Sequence, residues 1–304
     1  MAVGCDCNVG LSNTGRPNCV PLFSVTNNLI QVPLRDSDGN LNGLDLNAPI
    51  PTDWSTYTNN VDASQRWFPI PTFENVELPK ADSQFEEANS GRMAFLRQGK
   101  RSFAGELWAD DSTPTTLGKL EKGRCVDFGV YVVDVNGNLI GSEVDGFLYP
   151  IPVDNASWDP KFNFATDSTV QKIMLGFDFD RNFDESTMYM ITQDEAGIDF
   201  TSLKGLTDVV LTLVGTPSIT QMIVEAEFCY GTAYNKLKYL GATLVTDWIL
   251  ENTTLASIVV IDLVTENPDG TYTIDYSAGV TAPEGLKLSV SKTGFDGEIS
   301  SVTA

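Results

Sequence analysis

Short runs in which every second residue is apolar, separated by turns rich in Gly, Pro and Asn, constrain this chain more than any other feature of it. The clearest case is Arg124 to Ile140. There Val126, Phe128, Val130 and Val132 alternate with other residues, and Asn136-Gly137 supplies the strongest short hairpin signal. Strands are also expected at 22–32, 170–179, 208–214, 221–230, 271–276 and 286–290, with a Gly-Thr-Pro-Ser turn at 215–218 and an Asn-Pro-Asp-Gly turn at 267–270. No window from 120 to 300 sustains a helical stripe. Only short helices are expected, at 114–121, at the edges of 184–196 and at 201–206. The chain is therefore expected to be mainly β.

The order of these segments suggests three parts. Residues 1–21, rich in Gly, Asn and Pro, read as an extended arm. Residues 22–236 read as one β-rich core with a connecting loop at about 47–65. Within it, Arg66 to Pro71 reads as an edge strand, because its prolines cannot serve a central ladder. The segment 80–92 reads as a short helix or charged loop, and 93–96 with 102–108 as two strands of one hairpin around Gln98-Gly99-Lys100. Residues 237–304 read as a separate small β-sandwich. In it Leu240 to Leu250 leads into the apolar run 257–265.

Charge and composition exclude several functions. The chain has 304 residues, 19 of them basic and 41 acidic, for a net charge of −22. A surface of that sign repels the phosphates that carry most non-specific nucleic-acid affinity. There is no histidine, which removes the His-containing triads, the usual zinc sites and any imidazole base. No Walker loop, dinucleotide fingerprint or nucleophile elbow occurs. No catalytic residue, cofactor site or metal site is therefore assigned. Nor is a secretory signal or a membrane-spanning stretch expected.

Several local patterns have an ordinary and a functional reading. Cys5, Cys7 and Cys19 resemble half of a metal knuckle, or are reduced thiols near the arm; Cys125 and Cys229 read as small core hydrophobes. Asp178, Asp180, Asn182, Asp184 and Glu185 have the alternating oxygens of a calcium loop but lack its glycine, so an acidic turn is the simpler reading. Asp110-Asp111 and Glu86-Glu87 are carboxylate pairs of the sort so acidic a chain produces by chance. Trp54, Trp67, Trp108, Trp158 and Trp248 could line a sugar groove or anchor a core. Asn155 and Asn252 head glycosylation triplets of low specificity. The basic cluster Arg92, Arg97, Lys100 and Arg101 is more unusual in a polyanion. With Phe95, Phe103 and Trp108 beside it, it is expected to form a subunit interface that meets an acidic patch of the next copy.

The segments Gly10-Leu-Ser-Asn-Thr-Gly-Arg-Pro-Asn-Cys19, Arg66-Trp-Phe-Pro69 and Gly99-Lys-Arg-Ser-Phe103 resemble structural virion proteins of tailed bacteriophages, particularly those infecting Bacteroidetes. Within that group the chain looks like a tail-tube or tail-ring protein. The resemblance implies a tube-like β-sandwich or barrel core whose sheets join around a ring, and a small C-terminal immunoglobulin-like module. It also implies a place in the virion tail after assembly in the host cytoplasm. The implied partners are identical subunits in hexameric or twelvefold rings, other tail or connector proteins, and phage DNA that passes through an acidic lumen without specific binding. The N-terminal arm and the 47–65 loop would be connectors, and Ile223 to Tyr230 a candidate for intersubunit sheet closure. A capsid-decoration or head-fibre protein of the same particle and a carbohydrate-binding module protein are the alternatives.

Overall fold

Phe128-Gly-Val-Tyr-Val-Val-Asp134 is apolar at nearly every position, the pattern of a strand covered on both faces. In the computed structural model, which describes residues 22–51, 53–60, 62–232, 235–276 and 280–303, all seven of these residues are buried. The N-terminal arm of 1–21, with Cys5, Cys7 and Cys19, lies outside the described residues, as does the side chain of Cys229. The chain divides into two compact units, 1–205 and 206–304.

The first unit contains β1 (Thr26–Pro33), β2 (Leu44–Asp45), β3 (Phe68–Pro69), β4 (Glu74–Glu77), β5 (Gln84–Glu87), β6 (Met93–Arg97) and β7 (Ser102–Trp108). It continues with β8 (Phe128–Asp134), β9 (Leu139–Val144), β10 (Phe147–Tyr149), β11 (Ile151–Pro152), β12 (Asp159–Asn163), β13 (Lys172–Asp178) and β14 (Met188–Ile191). One sheet runs β2-β10-β9-β8-β1-β3, with β11 beside β8 and β14 beside β9; a second runs β12-β13-β7-β4. Among the described residues, β5 and β6 pair only with each other.

β1 and β8 form a partition between two cores. Leu29, Phe128, Val130 and Val132 join a cluster with Phe103, Leu107, Ile173, Leu175 and Phe177 of the second sheet. Their alternating neighbours Ile30, Val32, Tyr131 and Val133 join a cluster with Trp54, Trp67, Ile191 and Phe200. The 47–65 loop therefore covers its own sheet: Trp54, at the start of α1 (Ser55–Thr58), is buried, and its Nε1 donates to the carbonyl of Ala196 at 3.3 Å.

Several expectations hold. The hairpin at 124–140 forms, with Val132 opposite Ile140 and Val133 opposite Leu139. Buried Asp134 fastens its turn, accepting from the amides of Asn136 and Asn138 and from Ser24. β3 is an edge strand. The helix at 114–121 is α2 (Pro114–Glu121), with Thr113 as its cap and Pro114 in its first turn. Near 193, α3 (Gln193–Ala196) is closed by a Thr192–Glu195 capping box and Gly197 at φ 67°.

The second unit contains β15 (Thr207–Leu213), β16 (Gln221–Thr232), β17 (Asn235–Lys238), β18 (Trp248–Asn252) and β19 (Ser257–Val259). After these come β20 (Leu263–Glu266), β21 (Thr271–Asp275), β22 (Gly285–Val290), β23 (Phe295–Asp296) and β24 (Glu298–Val302). Its sheets run β20-β21-β16-β15-β23, with β17 on β16, and β19-β18-β22-β24. They share one core, with Val209, Leu211, Val224 and Ile274 from the first sheet and Trp248, Leu250, Leu286 and Leu288 from the second.

The structure corrects five expectations here. The C-terminal unit begins at Leu206 instead of 237, because β15 and β16 join its sheet through the β16–β21 ladder. The run 257–265 is two strands, β19 and β20, in different sheets. The segment 80–92 contains β5, a strand. β6 and β7 are not partners: β6 pairs with β5, and β7 with β13 and β4. Finally, β16 is an inner strand, with β15 on one side and β21 and then β17 on the other, so from Ile223 to Phe228 it offers no open edge among the described residues.

Candidate assembly surface

β7 connects the features relevant to assembly. Its inward side chains Phe103 and Leu107 are buried, while Ala104, Glu106 and Trp108 face outward. Before Ser102 the chain forms the β5–β6 hairpin; after Trp108 it turns into Asp110 and Asp111.

The hairpin projects as an arm. From Gln84 to Gln98 every residue is exposed. Phe85 lies opposite Phe95 and Glu87 opposite Met93, so the apolar Phe85, Met93 and Phe95 share one face. The two phenyl rings meet edge to face at 5.7 Å. Even so, Phe85, Met93, Phe95 and Leu96 are 53–62 % exposed. The turn at its tip closes through Ala88 and Arg92, with Gly91 at φ 77°. Arg97 Nε donates to Gln84 Oε1 at 2.7 Å, and neither Arg92 nor Arg97 has an acidic partner among the described residues.

A tight neck holds the arm. Ala81 donates to the Lys100 carbonyl at 2.8 Å and Ser102 to that of Pro79 at 3.0 Å. A Cβ on Gly99 would stand 1.6 Å from the Ala81 carbonyl oxygen, so no larger residue fits. Around the neck, Glu185 accepts from Arg101 Nε at 2.8 Å and from Lys80 Nζ at 2.7 Å. Asp178 pairs with Lys100 and accepts from Ser102 Oγ at 2.6 Å. The Arg101 bond, against the opposing effect of burial, holds the Glu185 carboxyl below its ordinary range. At Asp178 burial pushes upward, but the bonds from Lys100 and Ser102 prevail and the net shift is down.

At the far end of β7 the outer face of the sheet carries a second exposed apolar group. Trp108 lies opposite Lys172, which lies opposite Asn163 on β12. Trp108 is 43 % exposed, its Nε1 donating to Glu106 Oε2 at 2.9 Å. Met174, opposite Glu106 on the same outer face, is exposed too. Ala109 turns the chain at φ 47°, and Asp110 and Asp111 follow in the open. Although the residue is exposed, partial desolvation of its carboxyl and then the charge of Asp110 raise the pKa of Asp111.

The seven expected interface residues thus separate. Arg92, Phe95 and Arg97 are on the arm; Lys100 and Arg101 are ion-paired in its neck; Phe103 is in the core and unavailable to a partner; Trp108 is at the opposite end of β7. Phe85 and Met93 join the arm's apolar face only through the β5–β6 pairing, and Gln84-Phe-Glu-Glu87 is too short and polar to read as a strand. Asp110-Asp111 reads in the sequence as a chance carboxylate pair, and nothing local ties it to the Trp108 surface.

Other candidates resolve into structural roles. In the 178–185 turn, Asp180 accepts from the Asn182 amide and Asp184 from the Ser186 amide, as turn residues do. Among the described residues no three His, Cys, Asp or Glu side chains cluster as a metal site. Trp54, Trp67, Trp158 and Trp248 are buried, which leaves Trp108 alone of the five on the surface. Asn252 is buried and donates to Glu284 at 2.7 Å, and Asn155 Nδ2 is held by the Val126 carbonyl. Cys125, expected in the core, is exposed. No helix among the described residues is long and apolar enough to cross a membrane. No protein-family model matches the chain, and no curated protein matches it.

Proposed function

We propose that this chain is a non-enzymatic structural protein of a tailed-bacteriophage virion, which self-assembles into the rings or tube of the tail. The observation that carries the reading is the arm. A lone two-stranded hairpin is marginal in water, and this one has an apolar face that no described residue covers, in a chain of charge −22. Such a face is explained by a partner that covers it. The arm holds two glutamates and two arginines between residues 84 and 97, net zero, so it is a part of the molecule where like-charged copies can approach.

In this reading the first unit is the tube-like core, whose open sheets complete one another around a ring and whose acidic lumen lets DNA slide. The second unit is an immunoglobulin-like module; its two sheets, four strands of each enclosing one core, support that finer reading. That self-contained core also favours the second reading, decoration of a capsid in the same virion. Electron microscopy of the purified chain decides between them. Sixfold rings with a central hole, or stacked tubes, are expected. Twelvefold rings would indicate a connector, and monomers that bind capsids would select decoration.

A further inference from the structure

Two unpartnered surfaces lie at opposite ends of one strand. At the Ser102 end of β7 is the arm, with an apolar face and two guanidiniums that have no acidic partner among the described residues. At the Trp108 end is an apolar group flanked by two carboxylates that no cation neutralises among the described residues. Their apolar groups can bury one another, and the two arginines of the net-neutral arm are opposite in charge to Asp110 and Asp111. Within one molecule they are held apart by the seven residues of β7, roughly 20 Å of extended chain. A strand of a packed sheet cannot fold back to join its own ends.

We propose that the arm of one copy docks on the Trp108 end of the next copy's β7. Arg92 and Arg97 would lie over Asp110 and Asp111, and the Phe85–Phe95 face against the Trp108 indole. Repeated head to tail, this contact is heterologous and gives a ring or an open helical array; exchanged reciprocally between two copies, it would close as a twofold dimer, which the masses measured below distinguish. This inference rests on the self-assembly reading and specifies its contact.

The test uses full-length chains followed by mass photometry across a concentration series. One variant carries Arg92→Glu with Arg97→Glu; the other carries Asp110→Arg with Asp111→Arg. All four positions are exposed, and circular dichroism checks that both variants fold. Each alone sets like charge against like charge and is expected to raise the concentration for half-assembly about tenfold. An equimolar mixture restores opposite charges at every contact, so assembly should return to the wild-type range. Added salt should weaken wild-type assembly. If wild-type chains assemble and either variant assembles equally well alone, or the mixture fails to recover, this contact is wrong while self-assembly stands. Wild-type chains that remain monomeric throughout would overturn both.

Discussion

Glu185 joins two cations that approach from different segments, Lys80 ahead of the arm and Arg101 behind it. Its pKa is lowered in the fold, so the sign of its linkage is fixed. Its contribution is complete above the ordinary glutamate value of 4.5 and is lost as pH falls through the lower folded value. Comparing thermal melts of wild type and Glu185→Gln should show a gap that is constant above pH 5 and narrows in acid; a gap that widens in acid would contradict this. Gly99 offers a steric counterpart. Gly99→Val drives a side chain into the Ala81 carbonyl, so the neck must open, and limited proteolysis between 81 and 100 should accelerate. Ala109 carries backbone strain: relieving its positive φ with Ala109→Gly should change stability by no more than about 1 kcal/mol, in the stabilising direction, in denaturant melts. These residues were visible in the sequence, but their roles were not. A glycine between Gln98 and Lys100 looks like any turn glycine until the opposite chain segment is placed against it.

Among the elements, legibility followed local information. The 124–140 hairpin could be read because Asn136-Gly137 and the alternation around it lie within one short window. The helix at 114–121 could be read because Thr113-Pro114 is a local start signal. The pairing of β7 could not, since its partners β4 and β13 come from far apart in sequence and nothing local names them. Proximity suggested β6 instead, which put Phe103 and Trp108 at one site when the first is core and the second is at the other end of the strand. The loop before Arg66 shows the same limit. Its Pro, Thr and Asn content reads as connector, whereas Trp54 closes one face of the main sheet. Trp54→Ala should therefore cost about 3–5 kcal/mol in unfolding free energy; a loss under 1 kcal/mol in urea denaturation would show the loop is not core cover.

At the scale of the molecule, the apolar alternation and turn signals predicted a mainly β chain correctly, and a separate C-terminal unit was legible in outline. The boundary was misplaced because β15 and β16 look like a continuation of the strands before them; only their ladder to β21 assigns them to the second unit. With its own core, the segment 206–304 should fold alone. Trp248 is its single tryptophan, so its fluorescence should report one cooperative melt. The central claim is that copies of this chain join through the projecting arm. Its most direct test is sedimentation velocity of the full chain beside a variant in which residues 82–98 are replaced by a short turn. Rings or tubes from the intact chain and folded monomers from the shortened one are predicted; the same oligomeric state for both would contradict it.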